Sequence, residues 1–378
     1  MKDKLLPLIA VGFPGGYKFF IVLLVTTFSG DMVANEFSKI FFWVALLVTF
    51  TGLPIASLMI STEYNISGKD KVTLVLISTM ISFFIAHYIE LNKYTLSVNV
   101  FVFISVLFLS SYEIVKQYFL NLADFVSIFI ASSSTLVLFV FLFSVSSDNA
   151  GYILFFCYIS LLLPIIFLYI FQKQKNILNY STLADVFKGF FKYLVSNAAS
   201  TSLMFAIPIV IIAELGDEVA ADLAQIFYFS TLSYLIPRAL SAKHIPNMRN
   251  KGIANHEVKN FFMTIFTFVV VAIGVALPLF YYFYEQWLVY ILLFVAMQLS
   301  QLSLPFSNVL MVKGDVNTIL KINLSSMLVF LIASLSIYYL FDKGVERGDW
   351  LLVTFCCYQL LKLHLGFIKS KIYLHQVK

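Results

Sequence analysis

Residues 30–42 read GDMVANEFSKIFF, and residues 216–228 read GDEVAADLAQIFY. At an offset of 186 residues, about half of the 378-residue chain, six of the thirteen positions are identical. The match includes the polar pair Gly-Asp and the acidic residues Glu36 and Asp222, which chance similarity between apolar segments does not explain. The spacing indicates that the chain consists of two homologous halves.

The composition is that of a membrane protein. The chain is 61% hydrophobic and only 12% charged, whereas soluble domains carry about 25% charged residues. Its apolar residues form runs of roughly 20, the length that crosses a bilayer as a helix. We predict an all-α membrane protein with twelve transmembrane helices, over residues 5–28, 38–60, 71–90, 95–118, 123–147, 150–172, 189–213, 221–243, 258–283, 287–312, 317–341 and 350–370.

The basic residues give these spans an orientation. With the N-terminus in the cytoplasm, twenty Lys and Arg residues fall on the cytoplasmic side and four on the outer side, which leaves Lys18 inside span 1. An excess of Lys and Arg marks the cytoplasmic loops of membrane proteins. The asymmetry predicts an even number of spans and cytoplasmic N- and C-termini.

The repeated segment divides the spans into two sets of six. Each copy follows the first span of its half and falls at an outer turn, where Asp31 and Asp217 are suited to cap the next helix. Because six is even, the two halves have the same orientation, and parallel repeats of this kind form transporters. We predict two pseudo-symmetric six-helix lobes, residues 1–175 and 176–378, around a central cavity.

Two cations inside the predicted spans are candidate ligands for an anionic substrate. Lys18 lies near the middle of span 1, where a charge costs roughly 2.5–3.5 kcal/mol on insertion scales. The nearer interface is about ten residues away, too far for a lysine to snorkel comfortably. Arg238 follows Pro237 in span 8, and its guanidinium suits phosphate. For Arg238, a role as an anchor at the cytoplasmic interface is equally open.

Polar side chains also follow helical spacing within two spans. In span 10, Gln298, Gln301 and Asn308 share one face with Pro305, and in span 7 Asn197 shares a face with neighbouring serines and threonines. Small polar residues often only hold helices together in lipid. The two glutamines and the asparagine additionally suit a hydrated cavity that meets sugar hydroxyls.

Several kinds of site are not indicated by the sequence. No predicted span has a central Asp or Glu, so the predicted cavity is positive and its ligand anionic. Cys157, Cys356 and Cys357 lie inside apolar runs, which favours neither a disulfide framework nor a metal site. We predict no catalytic residues, no metal, no cofactor and no nucleic-acid partner.

The sequence resembles the polysaccharide flippases (Wzx-type) of the multidrug/oligosaccharidyl-lipid/polysaccharide exporter superfamily. The resemblance rests on the six-plus-six spans, the short loops, the paired Gly-Asp segments and the texture of residues 118–143 and 311–335. It covers the whole chain, but no single motif is diagnostic. It implies a substrate: an oligosaccharide on undecaprenyl pyrophosphate, moved across the bacterial inner membrane by alternating access for O-antigen or capsule synthesis.

The resemblance also implies roles and partners. Related lipid II flippases use cations in spans 1 and 8, and Lys18 and Arg238 occupy comparable spans here. The substrate-binding candidates are therefore Lys18, Arg238, Gln298, Gln301, Asn308 and Asn197. Implied partners are the lipid-linked oligosaccharide, membrane lipids, and a polysaccharide polymerase with its chain-length regulator.

Three alternatives remain open. A proton- or sodium-coupled exporter of drugs or small solutes would share the fold, but it usually needs a carboxylate in its cavity. A major facilitator transporter also has twelve spans, but residues 61–71, STEYNISGKDK, do not match its usual signal between spans 2 and 3. A membrane glycosyltransferase or polymerase would usually present a large outer loop, and the outer loops here are short.

Overall fold

The computed structural model describes residues 2–60, 66–122, 124–145, 148–171, 181–234, 237, 240, 241, 244, 245, 248, 252–313 and 315–374. Throughout these residues the chain is helical, with short turns between the helices. The helices are α1 Lys2–Phe28, α2 Asp31–Val48, α3 Gly52–Ile60, α4 Gly68–Ile89, α5 Leu96–Asn121, α6 Phe125–Phe143, α7 Ala150–Phe171, α8 Leu183–Asn197, α9 Leu203–Leu215, α10 Ala220–Leu232, α11 Asn255–Phe283, α12 Trp287–Leu302, α13 Leu304–Val312, α14 Val316–Leu340 and α15 Val345–Leu374.

Each of the twelve predicted spans overlaps one or two of the observed helices. Spans 2, 7 and 10 each correspond to two helices with a short break, and α10 begins span 8, whose second part is only partly described. Within the described residues, nine helical segments are long and apolar enough to cross a membrane, and the bent pair α2–α3 makes a tenth. The prediction of an all-helical, multi-pass membrane protein is confirmed.

Large apolar side chains form an exposed belt on several helices. Only 17% of the apolar window of α11 and 22% of that of α14 is buried inside the protein. Exposed side chains such as Phe84, Val271 and Leu328 would form a large apolar patch in water. In a bilayer the same side chains contact lipid, which accounts for the sequence's mean hydropathy of +0.92.

Side-chain caps explain where several helices begin. Ser67, Asp124, Thr182 and Asp315 each accept a hydrogen bond from a backbone N–H three residues further on, at the start of α4, α6, α8 and α14. All four helices start on the side that the basic residues assign to the cytoplasm. Such caps satisfy N–H groups that the first helical turn leaves without a partner.

The chain forms two compact units. Unit 1 contains Asp3–Phe19 and Val210–Lys378, and unit 2 contains Phe20–Ile209. The dividing points fall inside α1 and inside α9 rather than in a loop. The lobes 1–175 and 176–378 describe the duplicated halves of the sequence, and that boundary remains a prediction.

In unit 2, helices α5 and α7 pack along each other, and α3 packs against both α5 and α8. The contact between α3 and α5 is very close, because a Cβ on Gly52 would lie 2.5 Å from Ser110 Cα. Beside it, Thr51 Oγ1 lies 2.7 Å from Ser110 Oγ, and one hydroxyl donates to the other. We call this pair, Thr51 and Ser110, the threonine seam.

In unit 1, α15 packs along α12, α13 and α14, and α10 packs along α12. The N-terminal half of α1 belongs to this unit because it contacts α10. A Cβ on Gly16 would lie 3.7 Å from Leu232 Cδ2, and the rings of Phe19 and Phe229 have centroids 5.8 Å apart.

The duplicated Gly-Asp segments both lie at turns between helices, as predicted. Gly30 precedes α2 with an ordinary extended conformation (φ −65°), whereas Gly216 has φ +104° and precedes a short 3-10 turn at Asp217–Val219. At both turns the glycine holds the cap position, and Asp31 and Asp217 lie in the first turn. There the helix dipole favours a carboxylate. The two aspartates therefore stabilise the helix start through their charge, and the prediction that their side chains cap the helices is wrong.

Both copies are followed by a helix that breaks at a similar place. α2 ends at Val48, 18 residues after Gly30, and α10 ends at Leu232, 16 residues after Gly216. In each unit a hydroxyl just beyond the break bonds to the fourth span of the same half. Thr51 bonds to Ser110 on α5, and Ser233 bonds to Gln298 on α12. The two halves therefore share a helix break after the Gly-Asp segment, although the hydroxyls Thr51 and Ser233 do not coincide at the 186-residue offset.

Candidate functional site

The break after α10 places a hydroxyl between two buried glutamines. Gln301 Nε2 donates to Ser233 Oγ at 2.8 Å and to Gln298 Oε1 at 2.8 Å, and Ser233 Oγ lies 3.0 Å from Gln298 Oε1. We call Ser233, Gln298 and Gln301 the glutamine seam. Gln298 and Gln301 are 0% and 1% exposed.

The glutamine seam leaves polar atoms without a partner. Gln298 Nε2 and Gln301 Oε1 are buried and have no hydrogen-bond partner among the residues that the structure describes. A buried polar group without a hydrogen bond costs roughly 1–3 kcal/mol. One donor group and one acceptor therefore remain free at the same place, a combination that matches a hydroxyl group, which can accept one bond and donate another.

A second set of hydrogen bonds fixes the same level of unit 1. Tyr234 Oη lies 2.8 Å from the Met297 carbonyl oxygen and 2.6 Å from Ser300 Oγ. Pro305, which has no N–H to donate, lies in the first turn of α13 and accounts for the break at Ser303. After this break, on α13, Asn308 Nδ2 donates to Ser241 Oγ at 3.0 Å.

Lys18 is half-buried in α1. It lies 16 residues beyond Lys2, about 24 Å along the helix, and 10 residues before Phe28, about 15 Å. On α10, Gly16 contacts Leu232 and Phe19 contacts Phe229. Leu232 directly precedes Ser233 of the glutamine seam. The structure thus places the turn of α1 that carries Lys18 beside the end of α10, in the same unit as Gln298, Gln301 and Asn308.

Of the remaining two predicted site residues, Asn197 does not join this group. Asn197 belongs to unit 2, where its Nδ2 lies 3.5 Å from Ser57 Oγ at the contact between α8 and α3. It precedes a π-helical turn, Ala198–Ser202, which divides span 7. Such turns often occur at functional sites. Arg238 lies outside the described residues.

Ser233 and Tyr234 were not among the residues predicted from the sequence. Neither is charged or aligned with a polar stripe, because α10 ends just before them. The repeat gave no signal for Ser233, because at the 186-residue offset it corresponds to the apolar residue Leu47.

Carboxylates within the described helices pair with cations or lie near helix ends. Glu113 pairs with Lys116 on α5. Glu214, at the end of α9, lies 3.5 Å from Arg347 at the start of α15. Among the described residues, no group of three or more His, Cys, Asp or Glu side chains is placed to hold a metal ion.

A separate groove of about 490 Å³ lies in unit 1 between α11, α13 and α15. Its walls are mainly apolar and include Val258, Phe262, Phe306 and Phe367, with Lys259 and His364 among the polar residues. This lining suits hydrocarbon rather than a pyrophosphate or sugar headgroup.

No protein-family model matches the chain, and no relative was found among the curated proteins. Solved structures do match. An outward-facing multidrug resistance MATE family transporter of the MOP superfamily has a TM-score of 0.61 at 12% identity, over 99% of this chain and 96% of that one. An inward-facing one has a TM-score of 0.59 at 13% identity, over 98% and 96%. A MOP superfamily transporter from Pyrococcus furiosus has a TM-score of 0.55 at 13% identity, over 98% and 95%. At these identities the likeness concerns the fold, and the fold of this chain is that of a MATE transporter.

Proposed function

We propose that the protein is a flippase that moves an undecaprenyl-pyrophosphate-linked oligosaccharide from the inner to the outer leaflet of the bacterial plasma membrane. The substrate would serve surface polysaccharide synthesis, with a polymerase and a chain-length regulator acting on the product. The basic-residue asymmetry supports cytoplasmic N- and C-termini in this membrane. Such a reaction requires no covalent chemistry and no catalytic residue.

The observation that carries the proposal is the position of Lys18 within unit 1. A lysine far from both ends of α1 lies on the same helical turn as the contacts to α10, at Phe229 and Leu232. A cation at this depth favours an anionic ligand, and the unsatisfied amide atoms of Gln298 and Gln301 favour a hydroxylated one. A glycan linked through pyrophosphate has both properties.

In this mechanism each group acts on a different part of the substrate. The Lys18 ammonium pairs with the pyrophosphate, which offsets the cost of moving a multiply charged group through a medium of low polarity. Gln298 and Gln301 bind sugar hydroxyls, while the polyprenyl tail stays in lipid. The likeness to both outward- and inward-facing transporters supports alternating access as the way the headgroup changes sides.

The second candidate is a drug exporter, and the multidrug MATE neighbours are the observation that favours it. Export of cations by this fold usually needs a carboxylate available in the cavity. The partly buried carboxylates Glu113 and Glu214 pair with Lys116 and Arg347, and Asp222 at the start of α10 accepts a hydrogen bond from Tyr290. The Pyrococcus furiosus transporter is described as having a binding pocket of reverse polarity that suggests a different function. A cationic site in the present chain is compatible with a similar change of ligand.

The test uses the full-length protein in liposomes that contain a fluorescent oligosaccharide on a polyprenyl pyrophosphate. Flipping is measured as the fraction of fluorophore protected from a membrane-impermeant reductant. We expect the wild type to flip this lipid and not a neutral glycolipid with the same tail. We expect Lys18→Ala to slow flipping at least tenfold, since losing a charge-assisted bond costs about 1.5–3 kcal/mol, and Lys18→Arg to retain most of it.

Uptake of a fluorescent lipophilic cation is measured in the same liposomes. A wild type that transports this cation and leaves the glycolipid in place would identify a drug exporter and refute the flippase. Equal flipping by wild type and Lys18→Ala would remove Lys18 from the mechanism.

A further inference from the structure

Lys362 lies in the buried stripe of α15. Residues at three- and four-residue spacing along this helix face the protein interior, namely Gly348, Leu351, Leu352, Phe355, Tyr358, Gln359, Gly366 and Ser370. Lys362 follows Gln359 by three residues and precedes Gly366 by four, so it occupies the gap in this stripe. The helical spacing that reveals this position is visible in the sequence.

Two contacts set the depth of Lys362. Cys356 Sγ lies 3.6 Å from the Leu292 carbonyl oxygen, and a Cβ on Gly366 would lie 3.6 Å from Phe306 Cβ. Both pairs join α15 to the helices of span 10, and residue numbers rise in the same direction on both sides. Lys362 lies six residues after Cys356 and four residues before Gly366. On span 10, residue 298 is six residues after Leu292 and residue 302 is four before Phe306, so Lys362 is level with residues 298–302. That is the level of the glutamine seam.

The surroundings of Lys362 do not explain it as a structural residue. Among the described residues, no carboxylate lies within ion-pair distance of it. It lies seven residues, about 10 Å along the helix, deeper than Lys369. Near the end of the same helix, Lys371 makes a cation–π contact with Phe367, with Nζ 4.5 Å from the ring centroid. The Lys362 side chain is half-buried.

We propose that Lys362 binds a phosphate group of the transported headgroup, as a second cation at the level of the glutamine seam. This inference rests on the proposed function for the identity of the substrate, but the chemistry it names is that of a phosphate or pyrophosphate ester. A lysine binds phosphate as a point charge, and a lysine without a carboxylate partner inside a membrane protein is stabilised by an anionic ligand. Lys18 and Lys362 together supply two positive charges for a pyrophosphate.

The experiment measures binding to the full-length protein in detergent. The probes are a short-chain polyprenyl-pyrophosphate oligosaccharide, the same glycolipid without phosphate, and inorganic pyrophosphate. The variants are Lys362→Met, which keeps most of the side-chain length without the charge, and Lys362→Arg. Lys369→Met is the matched control on the same helix. We expect Lys362→Met to weaken binding of the pyrophosphate lipid at least tenfold, with the other two variants within threefold of wild type.

A second measurement does not depend on how the variants fold. In the wild type, acylation of Lys362 by an amine-reactive reagent is followed by mass spectrometry with and without the pyrophosphate lipid. We expect at least fivefold protection of Lys362 and no protection of Lys369. Equal labelling of Lys362 with and without lipid, or unchanged affinity in Lys362→Met, would overturn the proposal.

The outcomes separate this proposal from the proposed function. If the wild type binds the pyrophosphate lipid and Lys362→Met binds it equally well, the flippase stands and the role of Lys362 falls. If only inorganic pyrophosphate binds, and its binding depends on Lys362, the phosphate site stands and the lipid-linked substrate is refuted. If the wild type binds neither probe, both proposals fail.

Discussion

Gln301 Nε2 donates to Gln298 Oε1 at 2.8 Å, one helical turn away on α12, and this bond leaves the nitrogen of one amide and the oxygen of the other unsatisfied. Unpaired polar groups at a site of 0% and 1% exposure reduce stability. On the proposed function, sugar hydroxyls would bind both groups. The pair would then link a cost in stability to a gain in substrate binding.

We expect the double variant Gln298→Leu/Gln301→Leu to be more stable than the wild type and less active. Replacing both unsatisfied amides by apolar side chains of similar size removes a penalty of roughly 1–3 kcal/mol per group, so the melting temperature in detergent rises. Flipping of the fluorescent glycolipid falls because its hydroxyls lose their partners. The matched control is Thr51→Val/Ser110→Ala in the threonine seam, where both hydroxyls are satisfied, and which leaves flipping unchanged. Full flipping by the glutamine variant would show that the seam is only a helix contact.

The two duplicated glycines are expected to differ in what they tolerate. Gly216→Ala forces a side chain into a backbone with φ +104°, and a left-handed conformation costs roughly 1–2 kcal/mol for a residue with a Cβ. Gly30 has φ −65° and open space around it, so Gly30→Ala changes stability by less than about 0.5 kcal/mol. Thermal unfolding of both variants, followed by tryptophan fluorescence, checks the difference. Equal melting temperatures would mean that the second turn relaxes without strain.

The ion pair between Glu214 and Arg347 is expected to stabilise unit 1. Glu214 is 8% exposed, and Arg347 also donates to the Phe341 carbonyl oxygen through Nε at 2.9 Å and Nη2 at 2.7 Å. Removing one member of a buried pair costs about 3–5 kcal/mol because the other charge stays buried. We expect Arg347→Ala to lower the melting temperature by several degrees.

A surface pair provides the control for this prediction. Lys93 and Glu90 are 67% and 25% exposed, and exposed pairs contribute roughly 0–1 kcal/mol. Lys93→Ala should therefore be nearly neutral. Similar losses in Arg347→Ala and Lys93→Ala would place the Glu214 pair among ordinary surface contacts.

Asp315 is expected to give the protein an acid-sensitive contact. Hydrogen bonds from Thr318 and then from Tyr373 hold the pKa of Asp315 below its usual value. Because the pKa is lowered on folding, the stabilisation is fully present above the unfolded value of about 3.9. It is lost as the pH falls through the lower folded value. We expect Asp315→Asn to melt below the wild type at pH 7, and the difference to shrink as the pH falls through the lowered pKa of Asp315. A difference that stays constant over this pH range would contradict the assignment.

Hydropathy was sufficient to predict the spans. Transfer of long apolar runs into lipid dominates where helices form, and the predicted boundaries at 150–172 and 287–312 agree closely with α7 and with α12–α13. The basic residues gave an even span count in the same way. These predictions depend on sums over many residues, so single exceptions do not alter them.

The helix breaks and the unit boundaries were not predictable in this way. The turns at Thr49, Ala198 and Ser303 depend on a few local hydrogen bonds, on π-helical geometry and on Pro305. The assignment of half of α1 to unit 1 depends on contacts such as Phe19 with Phe229. Residues far apart in sequence make these contacts, and a single chain carries no signal for them.

The candidate site was predicted in part. Lys18, Gln298 and Gln301 were recognised because charge and repeated polar spacing are visible in a sequence. Ser233 and Lys362 were missed as site residues because their significance depends on which helix lies beside them. The helical stripe around Lys362 is a pattern that the sequence does contain.

The two seams show that the two halves of the duplicated sequence differ in hydrogen bonding beside their helix breaks. The threonine seam is saturated, and Gly52 lies too close to Ser110 Cα for any larger residue. Substitutions there can be tolerated only if they preserve the close contact between the backbones of α3 and α5. The break in the second repeat lies beside two glutamines, and their amides have hydrogen-bonding atoms without a partner among the described residues. Substitutions that change the ligand should therefore be tolerated better around Ser233 and the two glutamines than at Gly52 and Ser110, where the close backbone contact limits side-chain size.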